Sequence, residues 1–184
     1  MTARGADHHP TRTRSAAVSP GIYVVMGVSG SGKTVIGHGL ARTLGVDFID
    51  GDDYHPAENV RRMAAGIPLT DADRAGWLDA LAARIRQSRE AGTGLVVACS
   101  ALKRSYRDIL RTAAPDLRLV FLAGERALIG ERLAARSGHY MPASLLDSQL
   151  ATLEVPSPGE NVWTVDITRS PSDIVQQLTE RAAT

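Results

Sequence analysis

Several features that would point to particular functions are scarce or missing in this sequence of 184 residues. Cys99 is its only cysteine, so neither an intramolecular disulfide nor a cysteine-rich zinc or iron–sulfur site can form, and a reducing, cytoplasmic location is expected. The apolar runs at 95–99 and 119–123 are far shorter than the roughly 20 residues of a membrane-spanning helix. The net charge of +1 gives no general attraction to nucleic acid or to an anionic membrane, so neither partner is expected.

The composition indicates one globular domain. Hydrophobic residues make up 43% and charged residues 22% of the chain, both near the averages for soluble domains. Residues 1–20 differ, because they combine Thr, Ser, Gly, Pro and charged side chains with no apolar period, which predicts a flexible leader. The paired His8 and His9 in this leader are interpreted as solvated, with no metal site. We therefore expect a single folded domain over residues 21–184.

Short apolar runs alternate with amphipathic stretches from residue 22 onward. Buried strands are predicted at 22–26, 46–50, 95–99, 117–123 and 162–167. Helices are predicted at 33–44, at 56–65, after a capping sequence at Thr70, at 125–136, at 142–153 and after Ser170. Continuous apolar strands separated by helices are typical of a parallel sheet that is covered on both faces. The predicted fold class is therefore α/β, with a five-stranded parallel sheet between layers of helices.

A complete phosphate-binding motif follows the first predicted strand. Eight residues between this strand and a helix match the pattern G-x-x-x-x-G-K-[ST]: Gly27, Val28, Ser29, Gly30, Ser31, Gly32, Lys33 and Thr34. The glycines let successive backbone N–H groups turn toward phosphate oxygens, and the N-terminus of the next helix adds positive charge. Lys33 is predicted to reach the β- and γ-phosphates, and the Thr34 hydroxyl to bind Mg²⁺. The motif predicts that the chain binds a nucleoside triphosphate.

Two large classes of proteins with this loop fit the rest of the sequence poorly. Switch GTPases read guanine with an Asn-Lys-x-Asp sequence, and this chain contains no Asn-Lys pair. Motor and remodelling ATPases have larger domains and adjacent carboxylates after an acidic strand, whereas the third strand predicted here ends in Cys99 and Ser100. A small-molecule kinase fits better.

Three carboxylates follow the second predicted strand, at Asp50, Asp52 and Asp53. Ligands of open parallel sheets bind beyond the carboxyl ends of the strands, so these side chains should face the phosphate loop. Phosphoryl transfer to a hydroxyl needs one carboxylate to orient the acceptor and take its proton, and others to hold Mg²⁺. A polar turn that caps the next helix is the alternative interpretation. His55 could bind a polyol or simply pack at this turn.

Polar and basic residues also follow the third predicted strand. Ser100, Lys103 and Arg107 would place a hydroxyl and two cations near the same crevice, which suits an anionic, oxygen-rich acceptor. A solvated helix face is the alternative for one of the two cations Lys103 and Arg104. Cys99 ends a buried strand with no evident histidine partner, so it is interpreted as a small buried side chain rather than a nucleophile.

A candidate lid lies at about 132–142. Arg132 and Arg136 are four residues apart and would share one helix face, and a Ser-Gly pair supplies a hinge before His139. Such a segment could bring cations to a phosphoryl group during transfer. Surface solvation is the alternative for any single arginine in this region.

Taken together, these segments resemble one family, the P-loop gluconokinases, which are related to the shikimate kinases. The motifs that carry the resemblance are the phosphate loop at 27–34, Asp-Gly-Asp at 50–52 with His-Pro at 55–56, Pro-Leu-Thr-Asp-Ala-Asp-Arg at 68–74 with Trp-Leu at 77–78, Cys-Ser-Ala-Leu-Lys at 99–103 with Tyr-Arg-Asp at 106–108, and Gly-His-Tyr at 138–140. They stand in the family's order between residue 22 and about residue 183. The resemblance implies ATP- and Mg²⁺-dependent phosphorylation of D-gluconate at its 6-hydroxyl, a mobile lid and a homodimer.

The resemblance also implies roles for individual residues. Asp52 would lie near the acceptor hydroxyl, Asp50 would lie on the Mg²⁺ side with Thr34, and residues 166–171 would border the adenine. The expected catalytic residues are Lys33, Asp52, Arg132 and Arg136. The expected ATP site is the phosphate loop together with Arg132, Asp166 and Pro171. The expected acceptor site comprises Asp52, His55, Arg61, Arg74, Ser100, Lys103, Arg107, His139 and Gln149.

Two alternatives remain open at this point. The residues alone indicate a kinase for an anionic, hydroxylated acceptor, which includes shikimate, another sugar acid or an adenylyl sulfate as well as gluconate. The second alternative is a regulatory module that binds ATP without transferring phosphate. The carboxylates Asp50 and Asp52 argue against such a module, because a sensor needs no base.

Overall fold

The computed structural model describes residues 20–135 and 143–184 of the chain. The predicted leader and residues 136–142 of the predicted lid, with Arg136 and His139, therefore lie outside the described residues. The described strands are β1 (Ile22–Met26), β2 (Asp47–Asp50), β3 (Leu95–Ala98), β4 (Arg118–Ala123) and β5 (Trp163–Asp166). They form one parallel sheet in the order β2-β3-β1-β4-β5. The predicted α/β fold with a five-stranded parallel sheet is confirmed.

Helices connect these strands and cover the sheet. They are α1 (Lys33–Leu44), α2 (Ala57–Ala64), α3 (Asp71–Ala91), α4 (Arg104–Ala113), α5 (Arg126–Ala134), α6 (Ala143–Thr152) and α7 (Pro171–Ala182), with short 3₁₀ turns at Gly51–Tyr54 and Pro158–Glu160. No helix in the described part of the chain is both long and apolar enough to cross a membrane.

The ends of the helices follow local sequence signals. Thr70 and Asp73 form the predicted capping box of α3: the Thr70 hydroxyl accepts from the backbone N–H of Asp73 at 3.2 Å, and Asp73 Oδ2 accepts from the N–H of Thr70 at 2.7 Å. At α7 the Ser170 hydroxyl accepts from the backbone N–H of Asp173 at 3.2 Å, and Pro171 occupies the first helical position. These caps satisfy backbone donors that a helix N-terminus otherwise leaves unpaired, so they fix where α3 and α7 begin.

The sheet buries both of its faces. In β1, Ile22, Val24 and Met26 pack in one apolar cluster, whereas Tyr23 and Val25 pack in a second cluster on the opposite face. The first cluster includes side chains from α3 and α4, and the second includes side chains from α1 and α7. Burial on both sides explains why the three central strands, β1, β3 and β4, read as apolar runs, whereas the edge strand β5 alternates between buried and exposed residues.

The strand order brings three polar segments together. β3 lies between β2 and β1, so the carboxyl ends of these strands are neighbours at one edge of the sheet. Residues 27–34 follow β1, Asp50 ends β2, and Ser100 comes shortly after β3. Ligands of open α/β sheets bind at this edge, and the order of the strands therefore locates the candidate site.

Candidate active site

The phosphate loop, residues 27–34, joins β1 to α1. Gly30 and Gly32 have φ angles of 83° and 101°, which L side chains rarely adopt, and a Cβ at residue 30 would lie 2.7 Å from Leu133 Cγ. The helix begins immediately afterwards at Lys33, whose Nζ donates to the Val28 carbonyl at 3.1 Å. A turn of this kind, a helix N-terminus and a lysine cation together form an anion-binding site.

The two residues predicted on the Mg²⁺ side lie in contact. Thr34 Oγ1 donates to Asp50 Oδ2 at 2.9 Å, and Asp50 Oδ1 accepts from the backbone N–H of Asp52 at 3.1 Å. Both are hard oxygen donors of the type that Mg²⁺ prefers. Elsewhere in the described residues, as here, there is no group of three or more His, Cys, Asp or Glu side chains that could hold a metal. One hydroxyl and one carboxylate suit an ion that keeps most of its contacts with water and phosphate.

A cavity of about 150 Å³ lies directly beside the phosphate loop. Lys33 and Asp52 line its phosphate side. Its other polar lining side chains include His55, Arg74, Ser100 and Gln149, and its apolar lining includes Met63, Leu69, Trp77 and Leu102. A small, polar cavity with one carboxylate and one guanidinium fits an anionic polyol of a few carbons. We call it the acceptor cavity.

His55 is held on one wall of the acceptor cavity by an aromatic stack. Its ring lies 4.3 Å from the Trp77 ring at an angle of 13°, and Trp77 Nε1 donates to the Gly51 carbonyl at 2.7 Å. Burial lowers the pKa of His55 below its ordinary value of 6.5, so the ring is neutral at pH 7. The Asn59 amide lies 3.4 Å from Nδ1 and donates to it, which assigns the remaining proton to Nε2. Trp77 thus fixes the ring of His55 in the cavity wall.

Arg74 lies within a charged cluster at the start of α3. Its Nη1 donates to the Leu69 carbonyl at 2.6 Å and lies 3.5 Å from the Tyr106 hydroxyl. Tyr106 donates in turn to Asp71, which also binds Lys103 Nζ through both carboxylate oxygens at 2.8 Å. These hydrogen bonds from Lys103 and Tyr106 lower the pKa of Asp71. The cluster holds Arg74 at the cavity and neutralises Lys103.

Gln149 joins α6 to the phosphate loop. Its Oε1 accepts from the backbone N–H of Ser29 at 2.7 Å, and its Nε2 donates to the Ser29 hydroxyl at 3.0 Å. Ser148 and Thr152 of the same helix also line the acceptor cavity. One helix therefore contacts both the phosphate loop and the cavity.

A second cavity of about 290 Å³ lies on the other side of the phosphate loop. Its lining includes Gly30, Gly32, Arg132, Arg169 and Pro171. Arg132 Nη2 donates to the Ile167 carbonyl at 2.6 Å, which ties α5 to the segment that follows β5. A cavity with two guanidinium groups and a proline ring beside a phosphate loop suits the base and sugar of a nucleotide.

Residues 22–156 match the family model described as an AAA domain. A gluconokinase from Gluconobacter oxydans is 48% identical over 88% of this chain and 90% of that protein. A probable gluconokinase from Xenopus tropicalis is 44% identical over 85% of this chain and 90% of its own length. The chain belongs to the gluconokinase family.

A solved gluconokinase structure agrees with this assignment. The crystal structure of a gluconokinase from Sinorhizobium meliloti superimposes with a TM-score of 0.82 at 49% sequence identity, and the match covers 90% of this chain and 93% of that one. The similarity in sequence therefore extends to the whole arrangement of strands and helices, which confirms the family resemblance predicted from the motifs.

Five of the residues predicted at the gluconokinase acceptor site line the acceptor cavity. They are Asp52, His55, Arg74, Ser100 and Gln149. Arg132 and Pro171, two of the residues predicted at the ATP site, line the second cavity. Arg136 and His139, predicted in the lid, lie outside the described residues, and their roles stay predictions.

The structure corrects three of the predicted acceptor contacts. Arg107 is fully buried, because its guanidinium is bonded to Glu160 and to backbone carbonyls behind the cavity wall. Lys103 is paired with Asp71 and does not line the cavity. Arg61 is 70% exposed and pairs with Glu58 one turn earlier on α2. Each cation has a carboxylate partner of its own, and none of the three faces the acceptor cavity.

On the nucleotide side, the structure corrects the expectation for Asp166 and places Arg169, another residue of the range 166–171, in the lining of the second cavity. Asp166 accepts from the backbone N–H of Thr168 at 2.8 Å, and it is not among the described residues that line the second cavity. Arg169 does line it. The Asp166 carboxylate caps a turn instead. The cavity lining in this segment therefore begins at Arg169, which lies within the range 166–171 expected to border the adenine. Trp77 was missed by the sequence prediction, because a tryptophan at helical spacing reads as core.

Cys99 is buried at the carboxyl end of β3, as predicted. Burial raises the pKa of its thiol to about 12, so almost none of it is present as thiolate at neutral pH. A nucleophilic role for this cysteine is therefore excluded.

Proposed function

We propose that this chain transfers the γ-phosphoryl group of ATP to the 6-hydroxyl of D-gluconate, giving 6-phosphogluconate and ADP. One observation carries the proposal: Lys33 of the phosphate loop and Asp52 line the same small cavity as Arg74 and His55. The phosphate donor, a base and groups suited to a carboxylate and hydroxyls are thus adjacent. Relatives named gluconokinases are 40% identical or more over most of the chain.

ATP binds along the phosphate loop and in the second cavity. Its phosphates lie against the backbone of residues 27–34 and the N-terminus of α1, and its base and sugar occupy the second cavity near Arg132, Arg169 and Pro171. Lys33 opposes the negative charge that builds up on the γ-phosphoryl oxygens and the leaving oxygen during transfer. Because Lys33 already lies along the loop, little reorganisation is needed for this contact.

Asp52 acts as the base. Its carboxylate accepts the proton of the 6-hydroxyl while the hydroxyl oxygen forms a bond to the γ-phosphorus and the bond to the oxygen of the β-phosphate breaks. ADP leaves with the electron pair of that broken bond. Asp50 is unsuited to this task, since its carboxylate already accepts from the Thr34 hydroxyl and from the backbone N–H of Asp52.

Arg74 and His55 select the acceptor. The Arg74 guanidinium binds the gluconate carboxylate, because apart from Lys33 of the phosphate loop it is the one Lys or Arg side chain among the described residues that line the cavity. The neutral ring of His55 donates from Nε2 to a hydroxyl group of gluconate. Fixing the acceptor at its carboxylate end leaves the hydroxyl at the far end, on carbon 6, for the phosphate side.

We also propose that Thr34 and Asp50 hold Mg²⁺ together with the phosphates of ATP. Their hydroxyl and carboxylate oxygens are in contact, and both are suitable ligands for this ion. When bound, Mg²⁺ neutralises charge on the β- and γ-phosphates.

The remaining proposals come from the family resemblance. We propose a cytoplasmic homodimer with a lid at about 132–142 in which Arg136 and His139 close over the substrates. Light scattering after size-exclusion chromatography tests the dimer. Arg136→Ala tests the lid: an open site should lower transfer to gluconate and raise the hydrolysis of ATP by water.

An ADP-release assay with a panel of acceptors tests the main proposal. The panel contains D-gluconate, other sugar acids, shikimate, adenylyl sulfate and nucleosides, each tested with ATP. The wild-type chain should release ADP at a high rate with D-gluconate and not with the other acceptors. Faster release with another acceptor would reassign the substrate. ATP binding without release in the presence of any acceptor would favour a regulatory module instead.

A further inference from the structure

A buried ion pair lies behind the wall of the acceptor cavity. Arg107 on α4 and Glu160 are joined by two hydrogen bonds, Nε to Oε2 at 2.7 Å and Nη2 to Oε1 at 2.9 Å. Their side chains are 0% and 3% exposed. The cost of removing two charges from water offsets most of their attraction, so such a pair adds little stability over an apolar pair. Its other contacts are therefore the informative ones.

The third nitrogen of Arg107 holds the backbone that follows β3. Nη1 donates to the carbonyls of Ala101 at 3.2 Å and Leu102 at 3.1 Å. Ala101 has a φ of 42°, in the left-handed region that is unfavourable for a residue with a Cβ atom. A strained alanine is thus restrained from outside by a guanidinium, which Glu160 in turn keeps in place.

The residues on either side of Ala101 belong to the wall of the acceptor cavity, and one of them also contacts the phosphate loop through its backbone. Ser100 and Leu102 line the acceptor cavity. The Ser100 carbonyl accepts from the N–H of Gly27, the first residue of the phosphate loop, at 3.3 Å. A change of φ at Ala101 redirects the chain on either side of it, so Ser100 and Leu102 cannot both keep their places if Ala101 relaxes.

We propose that Arg107 and Glu160 are positioning residues for acceptor binding: they hold Ala101 in its left-handed conformation and so fix Ser100 and Leu102 in the cavity wall. The inference rests on the proposed function, since it concerns the cavity that binds the acceptor. Neither side chain touches the acceptor, and both act through backbone atoms. Hydrogen bonds from Arg107 lower the pKa of Glu160 to about 2, which keeps its carboxylate charged at neutral pH.

The first variant is Arg107→Lys. Lysine keeps a charge opposite Glu160, but it lacks the planar fork that reaches the carboxylate and two carbonyls at once. The KM for gluconate should rise about tenfold while the KM for ATP stays within about twofold, because Ser100 and Leu102 line the acceptor cavity, whereas residues 100–102 contact the phosphate loop through a single backbone hydrogen bond. A pair with a purely structural role would lower the melting temperature without this difference between the two KM values.

The second variant, Ala101→Gly, tests the cause. Glycine adopts a positive φ without strain, so a chain with Gly at this position depends less on the restraint. The single variant Ala101→Gly should have nearly the same gluconate KM as the wild type. In the double variant, Ala101→Gly should bring the gluconate KM of Arg107→Lys back to within about threefold of wild type. The matched control is Asn161→Gly, since Asn161 also has a positive φ, 51°, and adjoins Glu160. It should not rescue Arg107→Lys.

The outcomes separate this proposal from the proposed function. Wild-type turnover with gluconate is measured in the same assay, and if the chain uses another acceptor the KM comparison is made with that acceptor. The proposal is supported if Ala101→Gly rescues Arg107→Lys and Asn161→Gly does not. Rescue means that the gluconate KM recovers or, where Arg107→Lys does not fold, that folding recovers. An unchanged gluconate KM in folded Arg107→Lys, or equal loss of binding or folding in both backgrounds, overturns it.

Discussion

The phosphate loop and the acceptor cavity are adjacent, but they are built in different ways. The loop takes its anion-binding groups from eight consecutive residues, and apart from Lys33 and Thr34 it acts mainly through backbone N–H groups and a helix N-terminus. The cavity instead collects side chains from the turn after β2, the start of α3, the segment after β3 and α6. The phosphate site therefore depends on local backbone conformation, whereas the acceptor site depends on contacts between distant segments.

This difference determines how each region can change. A substitution of Lys33 or Thr34 in the loop acts directly on the groups proposed to bind phosphate and Mg²⁺. A substitution that weakens the acceptor can lie behind the cavity, in a residue that only holds another in place. Variants should consequently differ in kind: substitutions of Lys33 and Asp52, the groups proposed to act in the transfer itself, should lower turnover, and substitutions of the other cavity residues should raise the KM for the acceptor.

The largest effect is expected from Lys33→Met. Turnover should fall by about 10²-fold or more, because the variant loses the cation that opposes developing phosphate charge. ADP release at saturating ATP and gluconate measures the loss, with circular dichroism as a check on folding. The matched control is Lys103→Met, the only other lysine in the sequence, which is paired with Asp71 outside the cavity. Near-normal turnover of folded Lys33→Met would contradict the assignment of the loop.

Asp52→Asn should come next. An amide keeps the shape of the side chain but cannot take the hydroxyl proton, so kcat should fall by about 10²-fold while ATP affinity is retained. The adjacent and exposed Asp53 supplies the control, since Asp53→Asn should behave as wild type. If ATP affinity is lost instead and turnover survives at saturating ATP, Asp52 belongs to the metal side and the roles of Asp50 and Asp52 are exchanged.

Arg74→Ala should act on the acceptor rather than on turnover. Loss of one charge-assisted hydrogen bond to a carboxylate costs about 1.5–3 kcal/mol, so the KM for gluconate should rise by about tenfold or more. Steady-state kinetics with each substrate varied in turn measure this. Arg61→Ala removes a cation that is paired on the surface of α2, and its KM should not change. Equal KM values for the two variants would place the carboxylate of the acceptor elsewhere.

Thiol reagents should have the smallest effect. The Cys99 thiol is buried and its pKa is raised to about 12, so alkylating reagents at pH 8 should leave the activity of the native chain intact. Titration should detect one thiol per chain only after unfolding. Rapid inactivation of the folded chain would show that β3 opens at its carboxyl end.

The same contrast explains what could be predicted from the sequence. The strands and the phosphate loop follow from local patterns, and the rule that parallel strands present their carboxyl ends together predicts that Asp50 faces the loop. The hydrogen bond between Thr34 and Asp50 is a finding of the structure. The fates of Lys103 and Arg107 do not follow from such patterns. Their partners, Asp71 and Glu160, lie 32 and 53 residues away along the chain, and no local pattern specifies which carboxylate a cation will meet.

The missed residue has a related explanation. Trp77 occupies a regular apolar position of α3, and its stacking on His55 depends on how that helix packs against the turn after β2. Trp77 therefore acquires its role from tertiary structure, which a single sequence shows only through family resemblance.

The two hydrogen bonds between Gln149 and Ser29 tie the affinities of the two substrates together. α6 carries Gln149 and also contributes Ser148 and Thr152 to the acceptor cavity. A displacement of the loop at Ser29 when ATP binds therefore moves one wall of the neighbouring cavity. By thermodynamic linkage, bound gluconate must change the affinity for ATP by the same factor by which bound ATP changes the affinity for gluconate. This factor does not depend on which substrate binds first.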